Sequence, residues 1–384
     1  MSVGNLMCNR WFTVAFWALI TALVSVLLTK KEFQLVTMAP FGGGSANPIP
    51  VVDISNFLKG QNDAAAAKAL ASSLEEFGVV RVSGLGRDLS KALADFRKLF
   101  ALGVDDKEWE GGVLNRGDGF IRGYIPPGKE SGLSDVFEIK EGFCYGHDWP
   151  QGTEQENPLQ GPNMWPRNVP RDIKRGLEEW YDFSIGVAKG VGHGLAAALD
   201  LPYDHFADMC KGGETISIMR LFRYLNADHI ESDVAEGKAR LGSSPHRDWH
   251  FVTIILQDDS NKAGGGLEIE KDGRWWPVDT NNDELLVLGG EYLSLISQGR
   301  FQAPVHRVLL PPTGVEDRMS GVLFYYPNFD SALSESDVQR AADADQSGAH
   351  NSLVSYLAEG GSCAGCSFGE LMLAKWAEVL SNTS

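Results

Sequence analysis

Apolar positions recur along this chain at two periods, and the change between them divides it. From Asp63 to Phe77 an Ala-rich stretch carries Leu70, Leu74 and Phe77 at helical spacing, and Gly78 closes it. A second helix is expected from Asp88, an N-capping type of residue, to Leu102, with Leu89, Leu93, Phe96 and Phe100 on its apolar face. A third runs from Asp172 to Leu199, with Trp180, Phe183, Val187 and Val191 along one side, and a last apolar helix from Phe368 to Leu380 packs back on the body. Pro50 to Ile54 alternates as a short strand, and Val79 to Val82 reads as a buried one. Residues 105 to 170 are rich in Gly, Pro and Trp and read as long loops with short strands. From Ile216 onward short strands with regular turn signals dominate, the pattern of a two-sheet jelly roll. Within it, "HRVLLPPTGVEDRMSGVLFYYP" places two apolar runs around a Pro/Gly/Asp turn. That predicts a hairpin folded about Pro312, with Arg318 across from His306.

Composition narrows the picture. The 384 residues suffice for one large or two ordinary domains, and 43% hydrophobic content supports a sizeable core. A formal net charge of −17 argues against nucleic acid as a partner. Five cysteines do not make a disulfide scaffold, and Cys363 and Cys366 form a lone Cys-x-x-Cys that reads as loop. Trp11 to Leu28 is uncharged and mostly apolar, with Arg10 before it and Lys30 and Lys31 after it. It reads first as a single-pass membrane anchor over 11–29 and second as a cleaved targeting segment, organelle targeting included. Basic residues on the later flank put the folded part on the cytosolic side of an endomembrane or organelle. Met38 offers an alternative start. The expected organisation is a tail at 1–10, the anchor or targeting segment at 11–29, a linker at 30–48, an N-terminal extension at 49–170, a jelly-roll domain at 171–345 and a C-terminal helical region at 346–384.

Candidate chemistry is concentrated in "SPHRDWHFVTIILQ" and "FQAPVHRVLL". His246, Asp248 and His306 supply two imidazoles and one carboxylate, a set that holds non-haem Fe(II) and leaves positions open. Side chains two apart on a strand share a face, so His246 and Asp248 point the same way and Arg247 points away. His250 is a rival ligand on that same face. The predicted hairpin brings Arg318 and Ser320 to the metal side, where a guanidinium and a hydroxyl can grip a carboxylate.

These segments resemble the plant-type Fe(II)/2-oxoglutarate dioxygenases, the group that contains isopenicillin N synthase. The likeness extends through "GGGLEIEKDGRWWPV", "ELLVLGGEYLSLISQGRFQAPVHRV" and "RMSGVLFYYP". "IPVVDISNF" and "RGYIPPGKESGLSDVFEIKEGF" resemble the leading domain of that family. The resemblance covers roughly residues 48 to 380. It implies a mainly β fold with flanking helices: a double-stranded β-helix (jelly-roll, cupin-like) core with an N-terminal α/β extension. It implies Fe(II) on His246, Asp248 and His306, with His250 not a ligand. It implies 2-oxoglutarate held at its far carboxylate by Arg318 and Ser320, with help from Tyr224, and O2 at the remaining position. The family usually has Pro after that tyrosine, where this chain has Leu225.

The resulting expectation is an oxidoreductase that oxidises an unactivated C–H bond of a small metabolite, by hydroxylation or oxidative cyclisation, and releases succinate and CO2. Val305, Val322, Phe324 and Leu288 are expected to form the apolar shell around the metal. Arg122, Arg220, Arg223 and Arg247 lie near matched site segments and could serve an acidic substrate, or be paired with Asp and Glu, and Lys140 falls in the loop segment that in this family approaches the mouth of the site. Three alternatives remain open at this point: a ring-closing Fe(II) oxidase without 2-oxoglutarate, a kainoid-synthase-like cyclase of an acidic amino-acid derivative, and a non-catalytic membrane-tethered binding module.

Overall fold

The computed structural model describes residues 48–103, 113–115, 121–128, 136–150, 152–226, 239–258, 264–334 and 367–381. In chain order its strands are β1 (Val51–Asp53), β2 (Val79–Ser83), β3 (Val113–Asn115), β4 (Ile121–Ile125), β5 (Val136–Glu138), β6 (Lys140–Gly146), β7 (Ile218–Tyr224) and β8 (Ala239–Leu241). They continue with β9 (Ser243–His246), β10 (Val252–Gln257), β11 (Gly266–Lys271), β12 (Arg274–Pro277), β13 (Leu285–Gly289), β14 (His306–Leu309) and β15 (Arg318–Tyr325). The helices are α1 (Ser55–Leu58), α2 (Ala64–Glu76), α3 (Ser90–Phe100), α4 (Arg171–Ala198), α5 (His205–Met209), α6 (Glu291–Ile296) and α7 (Phe368–Ser381).

Two sheets face each other. The larger has nine strands in the order β1-β2-β13-β10-β15-β7-β6-β4-β3, and the smaller has four in the order β12-β11-β14-β9. The central strands of the larger sheet are buried on both faces, which is why "VTIILQ" and "LLVLG" read as nearly unbroken apolar runs. One set of alternating positions, with Val252, Ile254 and Leu256 of β10 and Met219 and Leu221 of β7, packs against the layer of α2, α3 and α4. The other set, with Ile255, Leu286, Leu288, Phe222 and Val322, packs against Leu267, Ile269 and Val308 of the smaller sheet. This is the expected jelly roll with flanking helices.

Local chemistry sets several boundaries. The Asp63 carboxylate accepts from the Ala65 and Ala66 amides at 3.1 and 3.0 Å and caps α2, a contact worth about 1 kcal/mol. Asp88 accepts from the Ser90 amide at 2.9 Å, so α3 begins at Ser90 rather than directly after Asp88. The β11–β12 hairpin turns at Asp272-Gly273, both with positive φ (54° and 70°), as a two-residue Asp-Gly turn requires.

Two expectations are corrected. The hairpin folded about Pro312 does not form: β14 pairs with β11 and β9 in the smaller sheet, whereas β15 pairs with β10 and β7 in the larger one. Pro311 and Pro312 lack the N–H that a tight ladder would need at that corner, and the chain crosses from one sheet to the other. The membrane placement is corrected as well. Among the described residues no helix is long and apolar enough to cross a membrane. The 28-residue α4 is long enough, but Lys174, Arg175, Glu178 and Glu179 make it amphipathic, with Trp180 and Val187 on its buried side. Residues 11–29, on which the anchor rested, lie outside the described residues, as do Cys363 and Cys366.

Candidate metal centre and its cavity

His246 ends β9 and His306 opens β14, and the two are direct partners in the smaller sheet. Their ring centroids lie 4.2 Å apart. Asp248 stands two residues beyond the end of β9 rather than within it. Each His Nδ1 is tied to a carbonyl, His246 to Ser244 at 2.7 Å and His306 to Pro304 at 3.1 Å. A carbonyl can only accept, so the proton sits on Nδ1 and the Nε2 lone pair is left for a ligand. Both Nε2 atoms point at Asp248 Oδ1, at 3.7 and 3.8 Å, and the three potential ligand atoms lie within 4.8 Å of one another.

The charge states suit a cation. Burial pushes the pKa of His306 down to about 4, helped by the neighbouring His246, so its imidazole is neutral near pH 7. Burial acts to raise the Asp248 carboxyl, but His306, His250, His246 and the Thr253 hydroxyl outweigh it and hold it below its usual value. Two imidazoles around one ionised carboxylate are the donor set that a divalent transition metal takes, so these residues fit Fe(II). His250 is not one of the three converging groups, although its Nε2 lies 3.9 Å from Asp248 Oδ2. Its Nε2 meets Thr253 Oγ1 at 2.7 Å, and Thr253 in turn donates to Asp248 Oδ2 at 2.5 Å.

The cluster opens into a cavity between the sheets. Arg318 and Ser320 reach the same space from β15 of the opposite sheet, not from a strand paired to His306. Arg318 lies over the Tyr224 ring at 4.9 Å, its register partner, and its Nη2 donates to Gln257 Oε1 at 2.8 Å. Ser320 is buried, and its hydroxyl finds no hydrogen-bond partner among the described residues. A buried hydroxyl beside a guanidinium is a cradle for a carboxylate. Val322 and Phe324 line the cavity as expected. Leu288 packs in the core behind it, and Val305 is not among the lining residues.

The nearby cations are mostly spoken for. Lys140 forms a buried pair with Glu138 at 2.5 Å, and Glu138 also accepts from the Ser244 amide at 2.8 Å. Arg223 is held by Glu141 and Asp317 at 2.9 and 2.6 Å, away from the cavity. Arg247 borders the cavity but donates to the Ala303 carbonyl. Arg122 is buried and donates to the carbonyl of the preceding Ile121. Sequence reading missed Thr253, Gln257, Glu138, Trp249, Tyr326 and Trp376. Thr253 and Gln257 do carry a signal, as polar side chains at alternate positions of an otherwise apolar strand.

The 2OG-Fe(II) oxygenase superfamily profile matches residues 216–327, and a profile described as non-haem dioxygenase in morphine synthesis N-terminal matches residues 49–168. The 2-oxoglutarate-dependent dioxygenase citB of Monascus ruber is 33% identical over 316 residues, 78% of this chain and 90% of that protein. The chain belongs to the 2OG-Fe(II) oxygenase superfamily. Clavatol oxidase claD of Penicillium crustosum is 30% identical over 309 residues, 73% of this chain and 86% of that protein. A full-length Neurospora crassa structure in complex with alpha-KG shares the fold, with a TM-score of 0.66 at 20% identity over 88% of this chain and 98% of that one. This oxygenase is therefore an oxidoreductase that uses Fe(II), 2-oxoglutarate and O2 and acts on a small molecule. The dioxygenase reading holds over the 2-oxoglutarate-free oxidase and over the non-catalytic module.

Proposed function

We propose that His246, Asp248 and His306 hold the Fe(II), that Arg318 and Ser320 hold the far carboxylate of 2-oxoglutarate, and that Tyr224 supports Arg318 from its ring face. One observation carries this reading: two imidazole nitrogens and a carboxylate oxygen converge in a cavity whose opposite wall presents a buried guanidinium and an unsatisfied hydroxyl. When bound, the iron with 2-oxoglutarate and O2 supplies an oxidant strong enough to break a C–H bond, and the balance of a hydroxylation is R–H + O2 + 2-oxoglutarate → R–OH + succinate + CO2. The protein residues do the positioning. The carbonyls of Ser244 and Pro304 fix the imidazole tautomers, Thr253 keeps one oxygen of Asp248 occupied, and Gln257 orients Arg318. Val322, Phe324 and Ile255 keep bulk water from the reacting atoms. The substrate is a small metabolite. By the same reading the chain divides into an extension at 49–170, a jelly roll at 171–345 and a C-terminal region at 346–384.

Anaerobic titration with Fe(II) and then 2-oxoglutarate tests it. A weak visible charge-transfer band should appear only with both present and vanish in His306→Ala. Arg318→Ala should bind iron normally and need far more 2-oxoglutarate for the same band. Iron binding without any band would move Arg318 from co-substrate to substrate recognition.

A further inference from the structure

The larger sheet presents two guanidinium groups to the cavity, and they stand at different levels. Arg220, Phe222 and Tyr224 of β7 all line it, as do Arg318, Ser320, Val322 and Phe324 of β15. The register pairs Arg318 with Tyr224 and Val322 with Arg220. Four residues along a ladder separate the two backbone positions by roughly 13–14 Å. Thr253, which holds Asp248, pairs with Phe324, two residues from Val322. Arg220 therefore stands near the level of the metal-binding cluster, and Arg318 stands further along the sheet.

We propose that Arg220 anchors an anionic group of the organic substrate, and that the substrate is a small, largely apolar organic acid. The proposal rests on the dioxygenase reading above and names the substrate class of that same cavity. Arg220 is buried and lies against the rings of Phe222 and Trp376, at 4.9 and 5.8 Å, both of which line the cavity. A guanidinium resting on ring faces donates in its own plane. Its five N–H groups let it serve a protein acceptor and a substrate carboxylate together. The remaining walls at this end are Trp249, Phe324, Tyr326 and Trp376, the last contributed by α7. Aromatic walls beside a guanidinium select a flat or hydrocarbon body that carries a negative group.

Benzoate and its neutral counterpart benzamide are the probes. Each is titrated by calorimetry into the full chain held anaerobically with Fe(II), with and without 2-oxoglutarate. Wild type should bind benzoate roughly tenfold or more tightly than benzamide, as expected for a charge-assisted hydrogen bond. Arg220→Gln should lose that preference and keep its 2-oxoglutarate affinity, which also reports that the variant is folded. Arg220→Lys should keep part of the preference. Equal binding of the two probes by wild type, including no binding of either, overturns the assignment, as does a preference that survives in Arg220→Gln. Loss of 2-oxoglutarate binding in both variants would place Arg220 at the co-substrate end and also overturn it. Failure of wild type to bind 2-oxoglutarate would sink the dioxygenase reading instead, while the titrations without 2-oxoglutarate still judge the anchor.

Discussion

Thr253 has a single hydroxyl proton, and it goes to Asp248 Oδ2. The His250 Nε2–H must then donate to Thr253, which fixes the His250 tautomer and leaves Asp248 Oδ1 facing the imidazoles of His246 and His306. Such supporting partners typically matter by about 10–100-fold in metal affinity. Thr253→Val, nearly the same in shape, should weaken Co(II) or Fe(II) binding by an amount in that range, and Thr253→Ser should restore it. Competition with a chromophoric chelator reads this directly, and unchanged affinity in the valine variant would show that Asp248 orients itself. Gln257 plays the corresponding part for Arg318. Gln257→Leu should raise KM for 2-oxoglutarate several-fold with kcat little changed, because the guanidinium stays but its aim is lost. Initial rates of succinate release at varied 2-oxoglutarate give that split. The convergence of His246, Asp248 and His306 was legible in the sequence because their types and spacing have few other uses. Thr253 and Gln257 were not, because their roles depend on what a strand meets across a sheet, which one chain segment does not state.

Elements were legible where a single period persists. α2, α3, α4 and α7 lie within a few residues of their expected spans because each buries one stripe of apolar side chains. The β14–β15 connection shows the limit. Two apolar runs around a turn look alike whether the strands pair or part, and only the register reveals that they part into facing sheets. Arg318 reaches the cavity all the same, because inward faces of opposed sheets share one interior. The helix layer is held to the larger sheet by close approach at Gly321. A Cβ there would come 2.6 Å from the Phe96 ring of α3. Phe96→Ala should cost about 3–5 kcal/mol by opening a void, and Gly321→Ala about 1–3 kcal/mol by overfilling the same place. The double variant should cost less than the sum, since each change relieves the other. Denaturant unfolding of the four proteins measures the coupling, and strict additivity would mean that α3 shifts freely over the sheet.

At the scale of the whole molecule, the site makes stability depend on pH. Burial holds His250 and His306 near a pKa of about 4, against 6.5 for an exposed imidazole, and partial burial lowers His193 as well. Between pH 6.5 and 4 the unfolded chain therefore takes up protons that the native, metal-free protein refuses. Stability rises with pH wherever the unfolded state binds more protons, so it must fall as pH drops through this window and level off for these groups below about 4. Each such histidine contributes up to about 1.4 kcal/mol per pH unit. Asp248 acts lower down, because the neighbouring imidazoles and the Thr253 hydroxyl hold its carboxyl below the usual 3.8. His250→Phe removes one of the refused protons, packs a ring of similar size beside Phe324 and Tyr326, and leaves the three candidate ligands in place. Guanidinium unfolding of chelator-treated protein at steps from pH 7 to pH 4 should then give a stability curve for His250→Phe that is flatter than wild type by close to one proton. Parallel curves would mean that His250 takes up its proton in the folded state without cost, and that the hydrogen-bonded chain from His250 through Thr253 to Asp248 is not held as the geometry describes.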